Sequence, residues 1–204
     1  MSYRDFSLPE VLERFKLVTR EEGGIFADRA PVTPSALLLE TLRFNVRLAS
    51  TIDTEKARSE FIIAPILAEL KRVIHPDIGL FSGVDLLVDA EAGLTGICDF
   101  LISAGREQLF VKAPLVAVVE AKNENMREGI GQCAAEIVAA RIFNERAKNA
   151  IDAVYGAVTT GTSWKFMSLS GATLSIDLDE YSITDPGRIL GIFASMFEPP
   201  GVSR

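Results

Sequence analysis

One histidine, two cysteines and one tryptophan are spread over 204 residues. His75 alone, with Cys98 and Cys133 far apart in sequence, cannot supply the nitrogen and sulfur ligands of a zinc site, and two cysteines build no disulfide framework. Both cysteines sit in apolar stretches, where a free thiol behaves as a small buried hydrophobe, and this usage fits a reducing, cytoplasmic setting. A basic surplus is missing too. Lys and Arg number 21 against 28 Asp and Glu, a net charge of −7, so the chain as a whole lacks the positive field with which nucleic-acid proteins neutralise phosphate. The deficit is local: residues 51–100 hold nine acids against four bases, whereas 101–150 has one base in excess. No window approaches the ~20 uncharged apolar residues of a membrane span, and Met1-Ser2-Tyr3-Arg4-Asp5 lacks a basic stretch followed by an apolar run, so neither secretion nor membrane contact is expected. No phosphate-binding loop ending in Gly-Lys-Ser/Thr is present, and the hydroxyls of Ser82 and Ser163 have no histidine base that would make them nucleophiles. These gaps remove motors, serine hydrolases and zinc proteins from consideration.

What remains is material for one compact domain, 1–204, with 48% apolar residues. The pattern divides it into an N-terminal helical elaboration (1–52), a core (53–170) and a C-terminal strand and helix (171–204). Ser7 starts a helix with apolar Val11, Leu12, Phe15 and Leu17 that is expected to run to residue 20, where Glu21-Glu22-Gly23-Gly24 stops it. Ser35 caps a second helix reaching about Ala49. A third runs from Asp53 or Thr54 to Val73, with Ala57, Phe61, Ile62, Ile66 and Leu70 at helical spacing and Pro65 inside it, where a kink or a division is expected. The period then changes. Val84–Asp89 and Leu94–Ser103 read as a β-hairpin, and Leu115–Ala121, nearly all apolar, reads as a strand covered on both faces in the middle of the sheet. Asn125 opens a helix to about Asn144 whose small residues Gly129, Gly131, Ala134 and Ala135 permit close approach to a sheet. Strands at 153–159, 163–169 and 173–176 and a helix at 186–197 complete the chain. The expected fold class is α/β, a three-layer sandwich with a central mixed β-sheet flanked by helices 53–73 and 126–144.

The residues able to carry chemistry concentrate around Glu120-Ala121-Lys122. On a strand, Glu120 and Lys122 project to the same face, side by side at its carboxyl end, where they form either an ion pair at the solvent boundary or part of a site. Asp99 interrupts the apolar run Gly96–Ile102 and is costly to bury without a partner. If strands 94–103 and 115–122 pair, Asp99 and Glu120 converge, and two hard carboxylates with the Ala121 carbonyl and waters suit magnesium or manganese. Asp85 and Asp89 compete with Asp99 for that role. Trp164 and Phe166 share one strand face, either stacked on bases or packed in the core.

In this combination the chain resembles the PD-(D/E)XK nuclease superfamily, the restriction-endonuclease-like fold, and is similar to the N-terminal nuclease domains of restriction enzymes over about residues 54–170. The family's ordered pattern is a helix glutamate, a strand aspartate, a strand ending in (Asp/Glu)-x-Lys, and a following helix with a glutamine. Here these positions are Glu60, Asp99, Glu120-Ala121-Lys122 and Gln132. Gly96–Phe100, Glu120–Asn125 and Thr159–Phe166 add to the likeness, while Cys98-Asp99 replaces the usual Pro-Asp.

The resemblance implies metal-dependent phosphodiester hydrolysis, on DNA rather than RNA. Asp99, Glu120 and the Ala121 carbonyl would hold Mg2+ or Mn2+, with Glu60 ordering the outer shell or holding a second ion. Lys122 would orient or help deprotonate the attacking water, as a lysine with a depressed pKa can. Gln132 would position the nucleophile, or else simply pair with Glu136 four residues on. Glu55 and Glu69 share the helix of Glu60 and compete with it. A homodimer would supply two sites for a two-strand cut, and a basic protein partner would offset the acidity. The alternative function is an inert nuclease-fold protein that binds nucleic acid or a protein.

Overall fold

In the computed structural model, which describes residues 1–149 and 151–198, one eight-stranded mixed sheet organises the chain. Its strands are β1 (Val18–Glu22), β2 (Gly79–Asp85), β3 (Ile97–Ser103), β4 (Leu115–Ala121), β5 (Val154–Thr159), β6 (Ser163–Ser170), β7 (Thr173–Asp177) and β8 (Tyr181–Ser182). They lie in the order β1-β7-β6-β5-β4-β3-β2, with β8 on β6. The β4/β5 and β1/β7 pairs are parallel and the rest antiparallel. Helices α1 (Leu8–Arg14) and α5 (Met126–Arg146) cover one face. The other is covered by α2 (Ala36–Ile52), α3 (Glu55–Arg58), α4 (Ala64–Glu69) and α6 (Pro186–Ser195). The expected α/β architecture, a mixed sheet between helices, is the observed one.

Strand β4 is buried at all seven positions, as an apolar run covered on both faces requires, although the centre of the sheet falls to its neighbour β5. The hairpin forms with shifted bounds: β2 begins at Gly79, and 86–96 is an excursion tied across by the Asp89–Leu94 bridge and by the Leu86 N–H on the Gly96 carbonyl at 2.9 Å. Residues 199–204 of the expected C-terminal segment lie outside the described residues.

One expectation needs correction and another takes a modified form. The first helix stops at Arg14, and Lys16 takes a left-handed conformation (φ 53°) that turns the chain into β1. The segment 1–52 is thus no purely helical elaboration. Val18–Glu22 lies parallel to Thr173–Asp177 at the sheet edge, exposed throughout, so no buried periodicity marks it as a strand. The division expected at Pro65 is seen as a change of winding, with Pro65 in the first turn of α4 directly after a π-helical stretch. Residues 59–63 widen into a π-helical stretch between α3 and α4, and Leu70–Ile74 do the same after α4. The carbonyl of Phe61, which Pro65 cannot bond, accepts instead from Asn45 Nδ2 of α2 at 2.9 Å.

Candidate metal and catalytic centre

Strand β3 pairs with β4 through Phe100–Val119, Leu101–Val118 and Ile102–Ala117, which carries Asp99 toward the carboxyl end of β4. There the backbone ladder gives way to a side chain: Asp99 Oδ2 accepts the Ala121 N–H at 2.8 Å. On the far side of β3, Gly83 adopts φ 63° and drops out of a ladder that pairs Ser82 with Phe100 and Val84 with Cys98. A left-handed residue opposite Asp99 interrupts the pleat at that point, a conformation for which only glycine has no Cβ penalty.

Glu120 is 2% exposed. Its Oε1 accepts from Lys122 Nζ at 2.5 Å, while Oε2 is buried without a partner among the described residues. Burial, then the Asp99 charge, push the Glu120 carboxyl up to about 8 against the opposing pull of Lys122. Lys122 also donates to Gln132 Oε1 at 3.1 Å, and its own N–H is fixed by the Thr159 carbonyl at 2.8 Å. Burial works to lower the Lys122 ammonium, but Glu120, by charge and hydrogen bond, outweighs it and holds the group above its ordinary value. Among these neighbours Lys122 is held as a cation; the depression that the resemblance implies depends on a cation beside it as well as on burial.

The stem of Lys122 has its place because α5 begins with small residues. A Cβ on Gly129 would lie 2.7 Å from Val158 Cγ1 and 3.0 Å from Lys122 Cγ, so only glycine lets α5 close over β4 and β5 with the lysine between them. The close approach to the sheet read from the sequence is seen at Gly129, whereas Gly131 makes room for the Phe6–Leu8 backbone before α1. One helical turn on, Gln132 Nε2 donates to Glu136 Oε1 at 3.1 Å. Gln132 is thus the partner of Glu136, the simpler of the two roles read for it, and its carbonyl oxygen also holds Lys122.

Glu60 is not brought to this cluster. It is exposed and ion-paired with Lys56 at 2.8 Å. The acid of that helical rod whose charge reaches Glu120 and Lys122 is Glu55, and Glu69 is bound to Ser35 N–H and Arg72. Sequence reading lists Glu55 as a competitor but cannot choose among three acids without knowing how the π-helical stretch rotates the rod. Arg58, not anticipated, ties the rod to the site loops through Asn123 Oδ1 and the Thr160 carbonyl. Asp85 and Asp89 stay outside: Asp89 accepts from the Ala92 N–H, and neither shares a bond with Glu120 or Lys122. Trp164 and Phe166 are wholly buried, stacked at 6.4 Å and packed on Phe193, so they are core and present no face to bases.

Glu136 is the functional candidate that sequence reading missed as such, having counted it only as a partner of Gln132. It is fully buried, its Oε2 has no partner among the described residues, and burial followed by the nearby Glu120 raises its carboxyl well above the ordinary range.

Among the described residues no three His, Cys, Asp or Glu side chains form a metal-holding group. Magnesium does not require three. It keeps most of its waters and takes one or two carboxylates, and Asp99 with the orphaned Glu120 Oε2 provides two hard oxygen donors of that kind. A cleft of about 1140 Å³ opens beside the site at the start of α5, lined by Glu124–Glu128, Thr160, Lys165 and the Arg4–Pro9 segment. No family model, curated protein or solved structure matches the chain.

Proposed function

We propose that the chain is a metal-dependent phosphodiesterase of the PD-(D/E)XK type, of restriction-endonuclease-like fold, cutting DNA. The observation that carries this reading is the buried Glu120 with one oxygen bound to Lys122 and the other unmatched, adjoining Asp99 at the end of a fully buried strand. Burying an unpaired carboxylate oxygen costs a few kcal/mol unless something completes it, and a cation between Glu120 and Asp99 does so. Asp99, Glu120 and the Ala121 carbonyl would hold Mg2+ or Mn2+. When bound, the ion supplies charge for the scissile phosphate and acidifies a water.

The chain's own side chains do the rest. Asp99, anchored on the Ala121 N–H, fixes the end of β4 relative to β3. Lys122, held by Glu120 and Gln132 and 20% exposed, is a cation suited to orienting a water and to stabilising negative charge on a phosphoryl oxygen. Gln132, its amide fixed by Glu136, keeps its carbonyl on Lys122. One observation favours the second reading, an inert nuclease-fold protein bound to a partner. The adjoining cleft carries Asp5, Glu21, Glu124, Glu128 and Glu180 against Arg4, Arg127 and Lys165, an acidic balance that fits a basic protein better than unaided DNA.

Two measurements separate them. Mg2+ or Mn2+ should raise the melting temperature of the wild type and not of Asp99→Ala. Linear, circular, branched and single-stranded DNA, and RNA, incubated with either ion should be cut by the wild type and at least ~100-fold more slowly by Lys122→Ala. Metal stabilisation without cleavage leaves the ion site and transfers the function to binding. No metal response and equal activity in both proteins sinks the proposal.

A further inference from the structure

Helix α2 buries Leu38, Leu42 and Ala49 in the core. About 120° around its axis runs a second apolar line, Leu37, Phe44, Leu48 and Ile52, extending the length of the helix. Leu37 is 60% exposed, Phe44 70% and Ile52 46%. Single exposed apolar side chains are ordinary, but three exposed ones in register with the half-buried Leu48 on one helix make a surface. Glu40 and Arg47 flank the line on one side, seven residues and so roughly 10 Å apart. Both are exposed, and among the described residues neither takes part in an ion pair.

We propose that this line is the contact between two copies of the chain, their α2 helices packed antiparallel across a two-fold axis at Phe44. The order of charges chooses the occupant. When two identical helices pack antiparallel, the same flank of each meets, so Glu40 faces Arg47 of the second copy and Arg47 faces its Glu40. Phe44 then meets its own counterpart, and Leu37 meets the Thr51-Ile52 end. A parallel pair sets the charged flank against the opposite one, where Thr41 and Asn45 offer no charge and Asn45 is already engaged by Phe61. Opposite charges placed symmetrically about an exposed phenylalanine complement a second copy of themselves. A face of one 17-residue helix is smaller than the ~800 Å² per partner of a stable interface, so the dimer dissociates readily on dilution. The inference is independent of the reaction proposed above.

Sedimentation of the full chain between about 1 and 200 µM tests it. The expected result is a reversible monomer–dimer equilibrium in which Phe44→Glu weakens association at least ~10-fold and Leu37→Lys acts in the same direction. Glu40→Arg and Arg47→Glu should each weaken it ~3-fold or more, and the two together should restore it to within ~2-fold of wild type. All these sites are exposed, so melting curves should stay close to wild type and certify the fold. A wild type monomeric at about 200 µM overturns the proposal, as does a dimer indifferent to Phe44→Glu or a double swap as weak as the single ones.

Discussion

Glu136 places a carboxyl in the apolar layer between α5 and the sheet, with Gln132 its hydrogen-bond partner and one oxygen unmatched. Desolvation, and then the Glu120 charge, favour its protonated form, so folding at neutral pH requires this acid to keep a proton that the unfolded chain has released. A carboxyl raised in the folded state contributes stability that is fully present below its unfolded value of 4.5 and is lost as pH rises above it. Glutamine keeps the acceptor for Gln132 and has no proton to lose. Glu136→Gln is therefore expected to be more stable than wild type at pH 8, with the gap narrowing toward pH 4. Urea denaturation across that range checks it, and an equal loss at both ends would show that Glu136 is held for packing alone. Residue identity announced Asp99, Glu120 and Lys122, because charged side chains in apolar strands stand out. The same logic failed at Glu136 because a glutamate on a helix is ordinary until the helix is known to be buried on that face.

The rod formed by α3, the π-helical stretch and α4 shows how an element absorbs a local violation. Pro65 removes one donor and frees the Phe61 carbonyl, the π-helical widening relieves the ring, and Asn45 of α2 satisfies the oxygen. The sequence locates the difficulty at Pro65, yet its remedy comes from a residue on another helix, which no local pattern discloses. Asn45→Ala leaves that half-buried carbonyl without its donor and should lower stability by ~1–2 kcal/mol in chemical denaturation. Asn45→Asp, which brings an acceptor instead of a donor, should do no better. Glu60, beside the same widened stretch, is turned outward to Lys56, which the order of motif residues along the chain does not disclose.

At the scale of the molecule, the sheet is closed on its β1 side by one buried carboxylate. Asp177, 0% exposed at the end of β7, accepts from the Gly24 and Phe26 N–H groups at 3.0 and 3.1 Å, from the Asp179 N–H at 3.0 Å and from the Tyr181 hydroxyl at 2.7 Å. It joins the loop after β1 to the corner between β7 and β8, so the N-terminal fifty residues and the C-terminal strands fold as one body. Burial, followed by the hydrogen bond to this carboxylate, raises the Tyr181 phenol above its ordinary value. Asp177→Ala strands four donors at once and should cost ~3–5 kcal/mol, read as a fall in the urea midpoint. Tyr181→Phe, removing one donor of the four, should cost only ~1 kcal/mol. A loss confined to the second variant's size in both would mean water replaces the carboxylate.

The sequence by itself determined the α/β class, the apolar strand β4, the small-residue start of α5 and the grouping of Asp99, Glu120 and Lys122, whereas Gln132 joined them only through the resemblance. All but Gln132 are written in local periodicity or in a polar residue that an apolar segment cannot bury cheaply. Tertiary structure alone decided that β1 joins the far edge of the sheet, that Glu55 rather than Glu60 lies within electrostatic reach of the site, and that Glu136 is buried. It also decided that Trp164 and Phe166 belong to the core. Those outcomes depend on which surfaces meet across long sequence separations, and exposure is a property of the assembled layers that no spacing along the chain can specify.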